Sequence, residues 1–110
     1  MSLADKIRKA REQEVEAAGF FFLVRRPTDV EMMELRGQKM ARAVIPYVIG
    51  WRGVTEISIL GNGSPHPLEF DAQACAEWLQ DRIDILGLLV EAIFAAYQAH
   101  AEKMEQAVKN

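Results

Sequence analysis

Three consecutive phenylalanines, Phe20-Phe21-Phe22, open the run Phe20-Phe21-Phe22-Leu23-Val24-Arg25, which is bounded by Gly19 and Pro27. So short a run of aromatic and β-branched residues predicts a strand or an extended buried segment. Side chains alternate between the two faces of a strand, so Phe21 points away from Phe20 and Phe22. Both faces therefore need cover, from the core, from a partner, or from both. The adjacent Arg25-Arg26 pair reads as a solvated edge rather than an anion site.

Around this run the pattern is helical. Residues 4–18 are rich in strong helix formers, with Gly19 where a helix stop belongs. Leu3, Ile7 and Val15 give that helix only a thin apolar stripe, so residues 1–19 are expected to be peripheral. Thr28 and Glu31 form a capping-box pattern after Pro27. A helix is expected from about Asp29 to Tyr47 or beyond, weakened at Gly37 by ~1 kcal/mol, with Pro46 kinking it or starting its last turn. Its methionines Met32, Met33 and Met40 suit ordinary core filling; an adaptable binding groove is the second reading. Asp71 caps a short helix from Ala72 to about Gln80, whose apolar face holds Cys75, Trp78 and Leu79. The last helix carries the widest stripe, Ile85, Leu86, Leu88, Leu89, Val90, Ile93, Phe94 and Tyr97. Residues 102–110 read as a frayed tail.

Between these helices, residues 54–60 alternate well enough for a short strand, although Val54-Thr55-Glu56 equally suits one helical turn. The turn cluster of residues 61–67 would let Leu68-Glu69-Phe70 pair back as a hairpin. The expected fold is therefore mainly α. It is a compact four-to-five-helix domain spanning 1–110, with a short extended segment near 20–25 and, on the strand reading, a small β-hairpin near 54–70. Trp51, between Gly50 and Gly53, is expected to plug the junction of the long helix with the last two, and Trp78 to set the fold beside it.

The length of 110 residues fits one domain, and 50% hydrophobic with 26% charged residues is ordinary for a soluble globular chain. The single cysteine, Cys75, excludes an internal disulfide and suits a reducing compartment. The first six residues hold no apolar core of the kind an export signal needs. No uncharged apolar run approaches the ~20 residues of a membrane span. Net charge of −3 argues against general nucleic-acid binding. The charge is uneven: residues 1–53 carry ten Lys/Arg against seven Asp/Glu (+3), and residues 54–110 carry three against nine (−6). The halves neutralise each other within one fold, or they pair head-to-tail between copies.

Catalytic constellations are not evident. Cys75 with His66 or His100 is the one thiol–imidazole pairing on offer, and Cys75 lies on the apolar face of its helix, where a thiol is inert packing. Two histidines and one cysteine make no zinc-type ligand set. Glu12/Glu16 and Asp81/Asp84 read as solvated faces or caps rather than acid–base partners. Gly61-Asn62-Gly63-Ser64 lacks the lysine of a phosphate-cradling loop. No catalytic, cofactor or metal site is expected.

Two segments carry a resemblance: Trp51-Arg52-Gly53-Val54, then, after a glycine-rich turn, Pro67-Leu68-Glu69-Phe70-Asp71 leading into a helix. With the closing helix Leu89 to Tyr97, this order is similar to that of the small tail assembly chaperones of long-tailed phages and prophages, over roughly residues 20–100. The long excursion from Ile57 to Pro67 departs from the pattern. The resemblance implies a mostly helical, self-associating protein without enzymatic activity or cofactor, working in the bacterial cytoplasm. Its partner would be the tape-measure protein or another tail protein, with no nucleic acid, membrane or small-molecule substrate. Phe20, Phe21, Phe22, Met32, Met33 and Arg52 are the contact candidates that this reading favours. The alternatives are a structural tail or head-completion subunit, and a bacterial adaptor unrelated to phage.

Overall fold

A computed structural model describes residues 1–109. Helix α1 (Leu3–Ala10) starts from a Ser2 cap that shares a capping box with Asp5. The chain then turns at Arg11 into strand β1 (Glu12–Ala17), which pairs antiparallel with β2 (Phe20–Arg25). Strand β3 (Val48–Arg52) adds to the other side of β2, giving a three-stranded antiparallel sheet with β2 in the centre. The fold is therefore α+β, which corrects the mainly α expectation.

The first cause of that error lies in residues 12–17. Glu, Gln and Ala are good helix formers, but propensity differences of a few tenths of a kcal/mol per residue yield to tertiary pairing. Val15 and Ala17 face inward while Glu12, Glu14 and Glu16 are exposed, a period of two that fits a strand. Ala18 and Gly19 make the connecting turn with φ of +54° and +87°. Positive φ at both central residues is the primed turn that matches strand twist.

The second cause is the expected helix from Asp29 to Tyr47, which is in fact three pieces. Helix α2 (Asp29–Leu35) begins with the Thr28–Glu31 capping box, as the sequence predicts. The helix ends at Leu35, where Arg36 swings out to ψ 129°, and Gly37, at φ +82°, completes the turn in which the Gln38 N–H donates to the Leu35 carbonyl. A short α3 (Met40–Ala43) and a 3-10 turn (Ile45–Tyr47) containing Pro46 follow, and they deliver the chain into β3. Residues 56–60 form α4 (Glu56–Leu60), capped by an extended Thr55, so neither the strand expected over 54–60 nor a helical turn at Val54-Thr55-Glu56 forms. The hairpin option reduces to one isolated bridge, Thr55 to Pro67.

Helix α5 (Ala72–Gln80) has the expected Asp71 cap, whose carboxylate accepts from the Gln73 and Ala74 N–H groups. Helix α6 (Ile83–Lys109) runs 27 residues, roughly 40 Å at 1.5 Å per residue, and accounts for much of the 54 Å long axis. It stays helical through Lys109, with every residue from 101 to 109 on the solvent-exposed side of the fold. Helices α5 and α6 pack against one face of the sheet. Phe22, Val24, Leu79, Ile85, Leu89 and Ile93 are its completely buried centre. By length and composition α6 is apolar enough to cross a membrane. Ile85, Leu86, Leu89 and Ile93, which supply much of that character, are buried in the core.

Candidate protein-contact surface

Strand β3 carries Trp51 into a junction with the segment that leads to α5. The Trp51 Nε1–H donates to the Leu68 carbonyl at 2.9 Å. Its ring meets Phe70 edge-on at 5.1 Å and Trp78 at 6.0 Å. The Leu68 N–H donates to the Val54 carbonyl at 2.8 Å, and Val54 itself is wholly buried. Trp51-Arg52-Gly53-Val54 and Pro67-Leu68-Glu69-Phe70-Asp71 are thus two sides of one joint, with Asp71 starting α5 directly behind it. Trp51 ties a strand to this joint, where a contact between helices was expected. Trp78, 4% exposed on α5, sits beneath it, and its Nε1 has no hydrogen-bond partner.

The three phenylalanines divide as strand alternation requires. Phe22 is fully buried, and Phe20 is half-buried, edge-on to Trp78 at 5.1 Å. Phe21 lies on the opposite, outer face of the sheet. The Arg52 guanidinium lies over its ring, 3.8 Å from the centroid, within cation–π range. Arg52 reaches further to Glu14 on β1 with two hydrogen bonds, Nε to Oε2 at 2.9 Å and a terminal nitrogen to Oε1 at 2.7 Å. This contact holds the Glu14 carboxyl below its usual value, with the Arg52 hydrogen bond as the main cause. Beside this strap, Leu23 and the bulge residue Ile49 are half-buried.

At the other end of β2 the ion pair is firmer. Arg25 grips Glu31 through two 2.9 Å bonds and lies 4.4 Å from the Tyr47 ring centroid, tying β2 to the start of α2. Arg25 is therefore a structural clamp, not the solvated edge expected. On α2, Met32 packs against the core, while Met33 is 67% exposed beside Val30, three residues earlier and 64% exposed. The structure brings Phe21 and Arg52 together, withdraws Phe22 into the core and leaves Met33 on a separate helix. Leu23, Ile49 and Glu14 join the Phe21–Arg52 surface, and Val30 joins Met33 on α2, without having been singled out. The alternation through residues 20–25 already carried the signal for Leu23.

Little here supports covalent or acid–base chemistry. Burial pushes the Cys75 thiol up to about 11, so it stays protonated at neutral pH. No group of three His, Cys, Asp or Glu side chains converges among the described residues. The strongly shifted carboxyls are locked in ion pairs. Hydrogen bonds from Arg25 hold Glu31 at about 2, and those from Arg82 hold Asp84 at about 2. Such groups stay ionised and accept hydrogen bonds rather than deliver protons. The chain matches no family model, no characterised protein and no solved structure.

Proposed function

We propose that this chain is a non-enzymatic phage or prophage tail morphogenesis protein. In this reading it resembles the chaperones that hold the tape-measure protein soluble before tail-tube subunits polymerise. The observation that carries the reading is the joint at Trp51. The two segments behind the resemblance serve one physical task, because Trp51 bonds the Leu68 carbonyl and packs on Phe70. A helical client fits apolar anchors on a receptive surface. Phe21, Leu23 and Ile49 on the outer sheet face, with Val30 and Met33 on α2, are the anchors proposed here. Phe20, Phe22 and Met32 support them from the core side.

Co-expression with a tape-measure protein from the same genome tests the reading. Wild-type chain should keep the tape-measure protein in the soluble fraction and co-purify with it. The double variant Phe21→Ser, Met33→Ser should lose both effects while keeping its helical circular dichroism. Tape-measure solubility that is indifferent to the chain would overturn the proposal. Stoichiometric presence of the chain in purified virions, measured by mass spectrometry, would favour a structural tail subunit instead.

A further inference from the structure

A second surface lies at the end of the sheet, where α1 and the start of β1 pass the C-terminal half of α6. The last buried residue of α6 is Ile93, yet the helix continues four more turns to Lys109. Between this extension and α1 runs an open groove of about 390 Å³. Its apolar wall includes Ile7 and Met104, 46% and 43% exposed, together with Ala99. Leu3, 73% exposed, extends the apolar face of α1.

The same groove gathers Arg11, Arg26 and Lys103. None of the three is in an ion pair among the described residues. The Arg11 Nε is buried without a hydrogen-bond partner. The Arg26 guanidinium donates only to the neighbouring Pro27 carbonyl, at 3.3 Å, while its backbone N–H donates to the Arg11 carbonyl. The convergence is also felt by His100 in the groove. Its pKa is lowered first by burial and then by Arg26, Lys103 and Arg11, with Asp29 opposing. Two carboxylates stand nearby. Glu12 lies on the groove wall, and Asp29 accepts a hydrogen bond from the Tyr97 hydroxyl at 2.6 Å. Three fixed cations therefore face two acids, neither of which engages them directly.

We propose that this groove docks an acidic amphipathic helix of a partner protein. Small residues on α6, Ala96 and Ala99, allow a third helix to approach at ordinary packing distance, ~8–10 Å between axes. Apolar side chains of that helix would lie on Ile7 and Met104. Its carboxylates would supply the acceptors that Arg11, Arg26 and Lys103 lack, in the charge-assisted geometry guanidinium groups favour. Charge complementarity is what selects an acidic partner over a neutral or basic one. This inference does not depend on the phage reading.

Two fluorescein-labelled synthetic helical peptides test it, identical in their Leu/Ala stripe but flanked by Glu in one and by Lys in the other. Fluorescence anisotropy should show the Glu peptide binding at least about tenfold more tightly, with affinity falling as salt rises. Lys103→Glu, on the exposed helix surface, and Arg11→Gln should each weaken it several-fold. Met104→Ser should weaken it while leaving the salt dependence unchanged. Unchanged circular dichroism separates these losses from unfolding, and Lys103→Glu alone suffices if Arg11→Gln unfolds. Equal binding of the two peptides, or binding that survives Lys103→Glu, overturns the proposal. Full competition by inorganic phosphate would reassign the groove to a small anion. Self-association of the chain abolished by Lys103→Glu in sedimentation velocity would reassign it to a second copy.

Discussion

Replacing Glu31 by Gln tests the clamp that joins the sheet to α2. The wild-type carboxylate makes two 2.9 Å bonds to Arg25 and accepts the Thr28 N–H at 3.0 Å. Glutamine keeps one oxygen for the Thr28 N–H and one Arg25 bond, but its amide NH2 replaces the oxygen that accepts the second Arg25 bond, so the substitution removes the charge and that bond together. Hydrogen bonds to charged groups are worth ~1.5–3 kcal/mol. The Arg25 and Glu31 side chains are 31% and 28% exposed, so solvent screening trims the value. A net loss of about 2 kcal/mol at neutral pH follows, or a melting temperature lower by roughly 8–15 °C for a domain of this size.

The clamp's contribution depends on pH with a definite sign. Arg25 hydrogen bonding, opposed by desolvation and aided by the Thr28 N–H, lowers the Glu31 carboxyl from 4.5 to about 2. A group whose folded-state value lies below its unfolded value stabilises the fold above the unfolded value. That stabilisation is lost as pH falls through the folded value. The gap between wild type and Glu31→Gln should therefore be full above pH 4.5 and close as pH drops toward about 2. Urea denaturation followed by tryptophan fluorescence, repeated across that range, measures it. A gap under about 0.5 kcal/mol at neutral pH, within the scatter of surface substitutions, refutes the clamp. A gap that stays constant down to acid pH refutes the electrostatic explanation.

Three further outcomes can be checked by similar means. Trp51→Phe keeps a ring against Phe70 but removes the donor to the Leu68 carbonyl, so it should cost about 1–3 kcal/mol in urea; an unchanged midpoint would show the joint to be dispensable. Ala18→Gly should stabilise by about 0.5–1 kcal/mol, because Ala18 sits at φ +54°, where a Cβ is strained. Destabilisation there would mean that the Ala18 side chain contributes more than its backbone costs. Cys75 should react with a thiol reagent no faster than the chain opens, since burial holds the thiol protonated near 11. Rapid modification of the native protein would place it in an accessible site instead.

The helix starts were legible because their chemistry is local. Thr28 with Glu31 and Asp71 with the N–H groups of Gln73 and Ala74 cap where the residue types say they should. The Ile85 to Ile93 stripe, with a helical repeat over several turns, was equally plain. The sheet was not, because its evidence is non-local. Residues 12–17 are strand only because Phe20–Arg25 lies beside them, and Val48–Arg52 is strand only because β2 offers a second edge. A composition of Glu, Gln and Ala argues for helix until that pairing is known. The contact candidates fared unevenly for the same reason. Alternation at residues 20–22 announced that one phenylalanine would face away, but only the register showed Arg52 lying over it.

That division ranks the surface. The inner face of β2 is covered by α5 and α6, so Phe22 can meet a partner only if the core opens. On the outer face, Phe21 is roofed by a single guanidinium, and the Arg52 and Glu14 side chains are 61% and 48% exposed. An ion pair so exposed, screened by solvent, contributes little. Moving Arg52 aside is correspondingly cheap, and doing so uncovers Phe21 next to Leu23 and Ile49. The demand for cover on both sides of the phenylalanine run is met on one side by a packed core and on the other by a weak strap. A partner that displaces the strap gains apolar area for little loss, so high salt, which weakens the exposed pair, should not weaken such binding.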